Sequence, residues 1–364
     1  MAITETATKA PEAPSMDEVM NFAFKVVNEL GAAMAAPHVY IGDQLGLFKT
    51  LAGTGPVTVD QLATKTGLQE RYLREWAAAM AASGYLDYEA GSRTFHLPAA
   101  KAAVLADDDS PVFVGGFAQM LPDHYKVIPG IMRAFREGGG VPYSEFTDDT
   151  FVGTERFFRP GYINFLVSDW IPAIGGVQEK LERGGKVADV GCGRGQAICT
   201  MAKAFPKSRF FGFDNHAPGI AAAGRNAERA GVTGNTTFEA RASTELPQTA
   251  DFDLISTLDA LHDMVDPHGA GRSIYGALKP GGVWFITEPN VSDKLEENLN
   301  PVGRVFYAVS GLQCMPASLA HGGAGYGACM GPAKIRKVAE EAGFTSFEKL
   351  PIDNPFNQYF VARK

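Results

Sequence analysis

The chain has 364 residues, of which 45% are hydrophobic and 20% charged, and a formal net charge of −8. This is ordinary globular composition, long enough for two domains. The acidic balance argues against a general nucleic-acid binder, which grips phosphates through excess Lys and Arg. No apolar run approaches the roughly 18 residues of a membrane span. The cysteines Cys192, Cys199, Cys314 and Cys329 lack CxxC spacing, so reduced thiols in a soluble, cytoplasmic protein are expected.

Met1–Ser15 is rich in Ala, Thr, Glu and Pro, with no apolar core behind a basic end; a disordered tail rather than a signal peptide is expected. From Met16 to about Ala36, Val19, Met20, Phe22, Ala23, Val26, Val27 and Leu30 recur at helical spacing, and a second helical stretch runs from Val39 to Leu51. Thr58 and Gln61 form a capping box that opens a short helix ending at Gly67. A longer helix from Gln69 to Ser83 places Leu73, Trp76, Ala77, Met80 and Ala81 on one face, and Tyr85–Tyr88 with Thr94–Leu97 reads as a β-hairpin. Three helices and a hairpin are the order of a winged helix, expected over residues 16–108.

A winged helix invites a DNA-binding reading. The Gln69–Ser83 helix, however, mixes Arg71 and Arg74 with Glu70 and Glu75 and continues as Trp76-Ala77-Ala78-Ala79-Met80-Ala81-Ala82. Base edges are read by polar side chains, so this helix is expected to pack against protein. Phe22–Leu51 is more apolar than a lone surface layer needs, which predicts a homodimer through this domain.

Residues 109–175 form a bridging region of helices and Gly/Pro turns, rich in aromatics such as Phe117 and Tyr162, which are candidates to line a substrate pocket. From residue 176 to 364 strands alternate with helices, implying a parallel α/β sheet. The predicted strands are Lys186–Val190, Arg209–Phe213, Thr237–Ala240, Asp253–Leu258 and Val283–Glu288. Phe347–Leu350 and Gln358–Ala362 make a terminal strand pair.

The turn after the first of these strands carries the strongest signal. In Asp189-Val190-Gly191-Cys192-Gly193-Arg194-Gly195 the alternating glycines let backbone approach a ligand while the next helix points its N-terminus at the site. A dinucleotide fingerprint spaces its glycines as GxGxxG to admit a pyrophosphate. The GxGxG spacing here, with Asp189 at the strand end, suits a ligand carrying an amino group and a sulfonium. Asp214 closes the second strand about 20 residues on, where an acid holds two ribose hydroxyls.

The combined pattern VxDxGxGxG, GFD, FDLI and LKPGG (from Val187, Gly212, Phe252 and Leu278) closely resembles the signature of class I S-adenosylmethionine-dependent methyltransferases. That resemblance implies a Rossmann-like sheet and S-adenosylmethionine as cofactor. The cofactor set it implies is Asp189, Gly191, Cys192, Gly193, Gly195, Asp214, Asn215, Ala242, Ser243 and Asp259. One element departs from the pattern: Ala242 stands where many relatives place an adenine-binding Asp, leaving Ser243 or a backbone carbonyl for that contact.

His262-Asp263 follows the fourth strand, at the ligand-facing end of such a sheet. Small-molecule O-methyltransferases with a winged-helix dimerisation domain carry a His-Asp pair here, and the resemblance, from about Leu30 onward, implies that His262 is the general base, oriented by Glu288. An imidazole with pKa near 6.5 suits proton removal near neutrality. Glu288-Pro289, Leu295–Pro301, Ser318-Leu319-Ala320 and Pro355-Phe356-Asn357 further resemble a bacterial group of such enzymes.

The expected acceptor is a small hydroxylated or phenolic molecule in an aromatic pocket between the domains. S-methylation of a small thiol and a cofactor-binding transcription regulator are the alternatives. Two groupings, His262-Asp263 with Asp266 and His268, and Cys314 with Met315, His321, Cys329 and Met330, match no standard zinc spacing, and no metal is expected. Asn290–Gly331 reads as a lid whose Gly322, Gly323, Gly325 and Gly327 allow movement. Met264, Tyr307, Cys314 and Met315 are candidate substrate contacts.

Overall fold

The computed structural model describes residues 13–364 and divides the chain into two compact units, one ending at Ala102 and the other spanning Ala103–Lys364. Most of the expected N-terminal tail, residues 1–12, lies outside the described residues.

The first unit contains α1 (Met16–Gln44), α2 (Leu47–Leu51), α3 (Val59–Thr66), α4 (Glu70–Ala82) and the hairpin β1 (Asp87–Glu89)–β2 (Thr94–His96). The Thr58–Gln61 capping box forms, and Gly67 closes α3 in the left-handed region. The expected break before Val39 is absent: α1 runs through Pro37. Proline removes one ladder donor, but the helix is clamped beyond it. Trp76 Nε1 donates to His38 O at 2.9 Å, and a Cβ on Gly42 would fall 2.7 Å from Trp76 and 2.8 Å from Phe48. Up to Met34 the helix is almost wholly exposed, with Phe22, Phe24, Val27, Leu30 and Met34 all facing out, and burial begins at Ala35.

On α4, Leu73, Trp76, Ala77 and Met80 are buried, while Arg71 pairs with Glu75 and Arg74 with Glu70. The guanidinium groups are thus satisfied within the helix.

The boundary falls within α5 (Ala99–Leu105), and the second unit goes on to α6 (Gly115–Lys126), α7 (Ile128–Glu137) and α8 (Asp148–Gly161). The last continues through a widened π-helical stretch, Tyr162–Trp170, into α9 (Ile171–Ala173), and α10 (Val177–Arg183) leads to the sheet. The sheet elements are β3 (Lys186–Val190), β4 (Arg209–Asp214), β5 (Thr236–Ala240), β6 (Phe252–Leu258), β7 (Leu278–Pro289), β8 (Ser346–Lys349) and β9 (Asn357–Arg363). Between them lie α11 (Gln196–Ala204), α12 (Ala217–Ala230), α13 (Pro267–Ala277), α14 (Pro301–Val309), α15 (Met315–Leu319) and α16 (Pro332–Ala342).

The strand order is β5-β4-β3-β6-β7-β9-β8, parallel except for β9, which pairs antiparallel with both neighbours. The order reverses between β3 and β6, the position where open α/β sheets bind ligands at their C-terminal strand ends. Alternation along β7 sends Val283 and Phe285 into one core and Trp284 and Ile286 into the other. No helix among the described residues is long and apolar enough to cross a membrane.

The Asn290–Gly331 insertion is helical, and its glycines pack. A Cβ on Gly323 would fall 2.5 Å from Ser318 Oγ, on Gly325 2.6 Å from Leu319, and on Gly327 2.2 Å from Ser310 Oγ. Close approach, rather than freedom to move, accounts for these three, whereas Gly322, like Gly311, has open space around it.

Candidate active site

The glycine turn sits at the reversal point. Gly191, Gly193 and Gly195 have φ of +78°, +52° and +76°, the region where a Cβ is strained. Their surroundings differ. A Cβ on Gly191 would lie 2.5 Å from Ala260 Cβ, and one on Gly195 2.7 Å from Phe238. Only at Gly193 is the space open, so Gly193 leaves room for a ligand while the flanking pair let the turn lie against β5 and the β6 loop. Gly195 directly precedes α11, aiming that helix's N-terminus at the same space. Arg194 is tied to Glu155 and, at 3.2 Å, to Asp148, which fixes the turn to α8.

Three carboxylates lie by this turn, and a fourth lies beyond them. Asp189, buried at the end of β3, accepts a hydrogen bond from Ser256 Oγ at 2.7 Å. Burial pushes its pKa up to about 7, with the Ser256 bond opposing and the Asp214 charge adding. Asp214 accepts from Gly193 N at 2.9 Å and His216 N at 2.8 Å; burial raises its pKa against these bonds. Asp259, at φ +53°, accepts from Asn357 Nδ2 at 2.6 Å, and burial with the nearby Glu288 charge drives its pKa well up. Among the described residues no Lys, Arg or His forms an ion pair with any of these three.

The fourth carboxylate belongs to a separate cluster. The turn Leu261–Asp263 follows β6, and Glu288 near the end of β7 reaches across to it. Glu288 Oε1 accepts from the backbone N–H of Leu261 at 3.0 Å and of His262 at 3.3 Å, while Oε2 lies 2.5 Å from His262 Nδ1. One carboxylate therefore holds both the ring and the backbone that carries it. His262 Nε2 lies 3.2 Å from Asp263 Oδ1, and Asp263 Oδ2 accepts from Tyr143 OH at 2.5 Å. Burial opposes a charge on His262, but Glu288 and then Asp263 outweigh it and hold its pKa well above the ordinary imidazole value. Cys314 stands against the same pair, and Gln313 Oε1 beside it accepts from His124 Nε2 at 2.8 Å.

Of the residues singled out from sequence, His262 and Glu288 are joined directly. Met264 links them to the glycine turn, its Cε 3.9 Å from where a Gly191 Cβ would stand. Cys192 is buried beside Gly212 and Asn215 is exposed after Asp214; Ala242 and Ser243 lie half-buried in the loop after β5. Tyr162 is coupled to the Asp259 and Asp189 charges, which places it by the glycine turn. Phe117 lines a groove of about 240 Å³ with His124 and Leu312. Tyr307 is exposed on α14, bonded to Asn298, and Met315 packs against Gly327. Ser256 and Gln313 carried no sequence signal, Tyr143 only its place among the aromatics of the bridging region and Asn357 only its place in Pro355-Phe356-Asn357; each is recruited from a distant element.

Residues 181–343 match the family described as "Methyltransferase domain", and residues 33–107 the "Rv2258c-like winged HTH domain". A ubiquinone biosynthesis O-methyltransferase of Psychrobacter arcticus is 30% identical over 187 residues, 50% of this chain and 67% of that protein. The chain belongs to the class I S-adenosylmethionine-dependent methyltransferases. A mitomycin biosynthesis 6-O-methyltransferase of Streptomyces lavendulae is 27% identical over 307 residues, covering 79% of this methyltransferase and 84% of the relative. Human N-acetylserotonin methyltransferase, solved with S-adenosylmethionine, shares the fold with a TM-score of 0.71 at 17% identity, covering 98% of this chain and 99% of that one. The residues of this methyltransferase suit the cofactor: a buried carboxylate without a cationic partner, Asp189, stands beside the one turn glycine with open space.

Proposed function

We propose that this methyltransferase acts on a hydroxyl of a small molecule, with His262 as general base. The observation that carries the reading is the buried His262–Glu288 pair, set at the strand ends beside the glycine turn. S-adenosylmethionine supplies an electrophilic methyl carbon and a neutral thioether leaving group. The protein aligns the reactants, excludes water and removes the acceptor's proton.

Asp189 would receive the cofactor's ammonium group and Asp214 its ribose hydroxyls, with Gly193 permitting close backbone approach. The loop at Ala242 and Ser243 would border the adenine, and Asp259 would close the crevice beside Tyr162. At the other end, Glu288 accepts the Nδ1 proton and so directs the Nε2 lone pair toward the acceptor. Without an acceptor, Asp263 helps to keep Nε2 protonated. A hydroxyl entering between Nε2 and Asp263 Oδ1 separates that pair, the Nε2 proton passes to solvent, and the freed lone pair can then take the acceptor's proton. Glu288 then stabilises the imidazolium, as the carboxylate does in a Ser-His-Asp triad.

The test is turnover of His262→Ala and His262→Gln across phenolic acceptors, read as S-adenosylhomocysteine formed. A loss of about 10²–10⁴-fold is expected for a missing general base, with S-adenosylhomocysteine affinity unchanged. Unaltered turnover would remove His262 from that role.

The exposed apolar residues of α1, Phe22, Phe24, Val27, Leu30 and Met34, support a homodimer through the N-terminal unit, since such a stripe is poorly suited to water. The internal ion pairs of α4 favour this over a DNA-binding role.

A further inference from the structure

Neither of the two sequence groupings weighed for metal has ligand spacing by itself, yet the fold joins part of one to part of the other. His262 Nε2, Asp263 Oδ1 and Cys314 Sγ lie within 4.8 Å of one another. We propose that these three atoms form a binding site for a single zinc ion, with the fourth position open.

The surroundings suit a cation. Asp263 Oδ1 is buried and accepts no well-formed hydrogen bond; its 3.2 Å contact with His262 Nε2 leaves an anionic oxygen with lone pairs to spare beside the other two atoms of the trio. Glu288 occupies Nδ1 of His262, the arrangement in which a carboxylate fixes the tautomer of a metal-binding imidazole and raises its basicity. Tyr143 steadies the other oxygen of Asp263. A mixed nitrogen, oxygen and sulfur set of three is typical of zinc with an exchangeable fourth ligand. Bond lengths near 2.0–2.3 Å put tetrahedral donors about 3.5 Å apart, so closing the site needs a shift of roughly an ångström, within reach of a cysteine rotamer.

Binding forms the Zn–S and Zn–N bonds and releases two protons to solvent, one from Cys314 Sγ and one from His262 Nε2. Nε2 is then occupied, so on the reading of His262 as base, zinc and methyl transfer exclude each other. The inference rests on that reading only for this consequence.

The experiment uses the full chain, freed of metal with a chelator and titrated with Co²⁺, whose thiolate complexes absorb in the near ultraviolet. The expected result is a sulfur-to-cobalt band saturating at one equivalent, displaced by Zn²⁺ and retained in Cys329→Ser. Cys314→Ser should lose the band, with its fold checked by S-adenosylhomocysteine binding. Glu288→Gln should keep the band but bind about 10–100-fold more weakly. No thiolate band in the wild type, or an equal band in Cys314→Ser, overturns the site while leaving the base reading intact. Conversely, undiminished turnover of metal-free His262→Ala overturns the base and leaves the cobalt result standing.

Discussion

Asp189 offers the sharpest quantitative test. Its carboxyl is buried, its hydrogen-bond donor is the neutral Ser256 hydroxyl, and its pKa is raised to about 7. In the ligand-free protein it is about 90% protonated at pH 6 and about 10% at pH 8. A ligand ammonium favours the ionised form, so binding S-adenosylhomocysteine, which keeps that amine, should release about 0.9 proton at pH 6 and about 0.1 at pH 8. Affinity should accordingly rise about tenfold per pH unit below 7 and level off above it. Titration calorimetry in buffers of differing ionisation enthalpy counts the protons directly. Asp189→Asn should abolish the release and weaken binding by about 10–100-fold, the range for losing a charge-assisted hydrogen bond. The same shift fixes a stability slope. A folded pKa above the unfolded value near 3.9 makes Asp189's contribution fully present below pH 4 and lost as pH rises through 7, by roughly 4 kcal/mol. A binding heat independent of the buffer between pH 6 and 8, or release undiminished in Asp189→Asn, would refute the argument.

Further outcomes follow from the geometry. Gly191→Ala places a Cβ 2.5 Å from Ala260 Cβ at φ +78°, so it should cost about 1–3 kcal/mol in a urea melt and weaken S-adenosylhomocysteine binding. Tyr143→Phe removes the donor to Asp263 Oδ2; leaving that oxygen short of a partner should lower stability by about 1–3 kcal/mol, measurable by denaturant unfolding. Phe22→Glu with Val27→Glu on the exposed stretch of α1 should convert a dimer to monomer in sedimentation while leaving the melting temperature near that of the parent, since neither side chain is in a core. A monomeric parent would remove the dimer.

What the sequence disclosed was set by range. The α3 capping box, the β1–β2 hairpin and the glycine turn are local, each dictated by residues a few positions apart. His262 and Glu288 are 26 residues apart and could still be paired, because neighbouring parallel strands end at the same edge. Tyr143 meets Asp263 across 120 positions and His124 meets Gln313 across 189; no periodicity marks such encounters, which depend on how the bridging helices fold back. The continuity of α1 through Pro37 was missed for a related reason. The helix breaker is local, but what overrides it, the Trp76 and Phe48 packing at Gly42 and the bond to His38 O, comes from other helices.

Glu288 grips the His262 ring and the turn's backbone from a strand in the middle of the sheet, whereas Tyr143, Gln313 and Cys314 come from the bridging region and the Asn290–Gly331 insertion. The His262–Glu288 pair and the walls around it therefore come from separate parts of the chain. On the proposed reading, changes in the walls would exchange one acceptor for another while leaving the pair in place on the sheet.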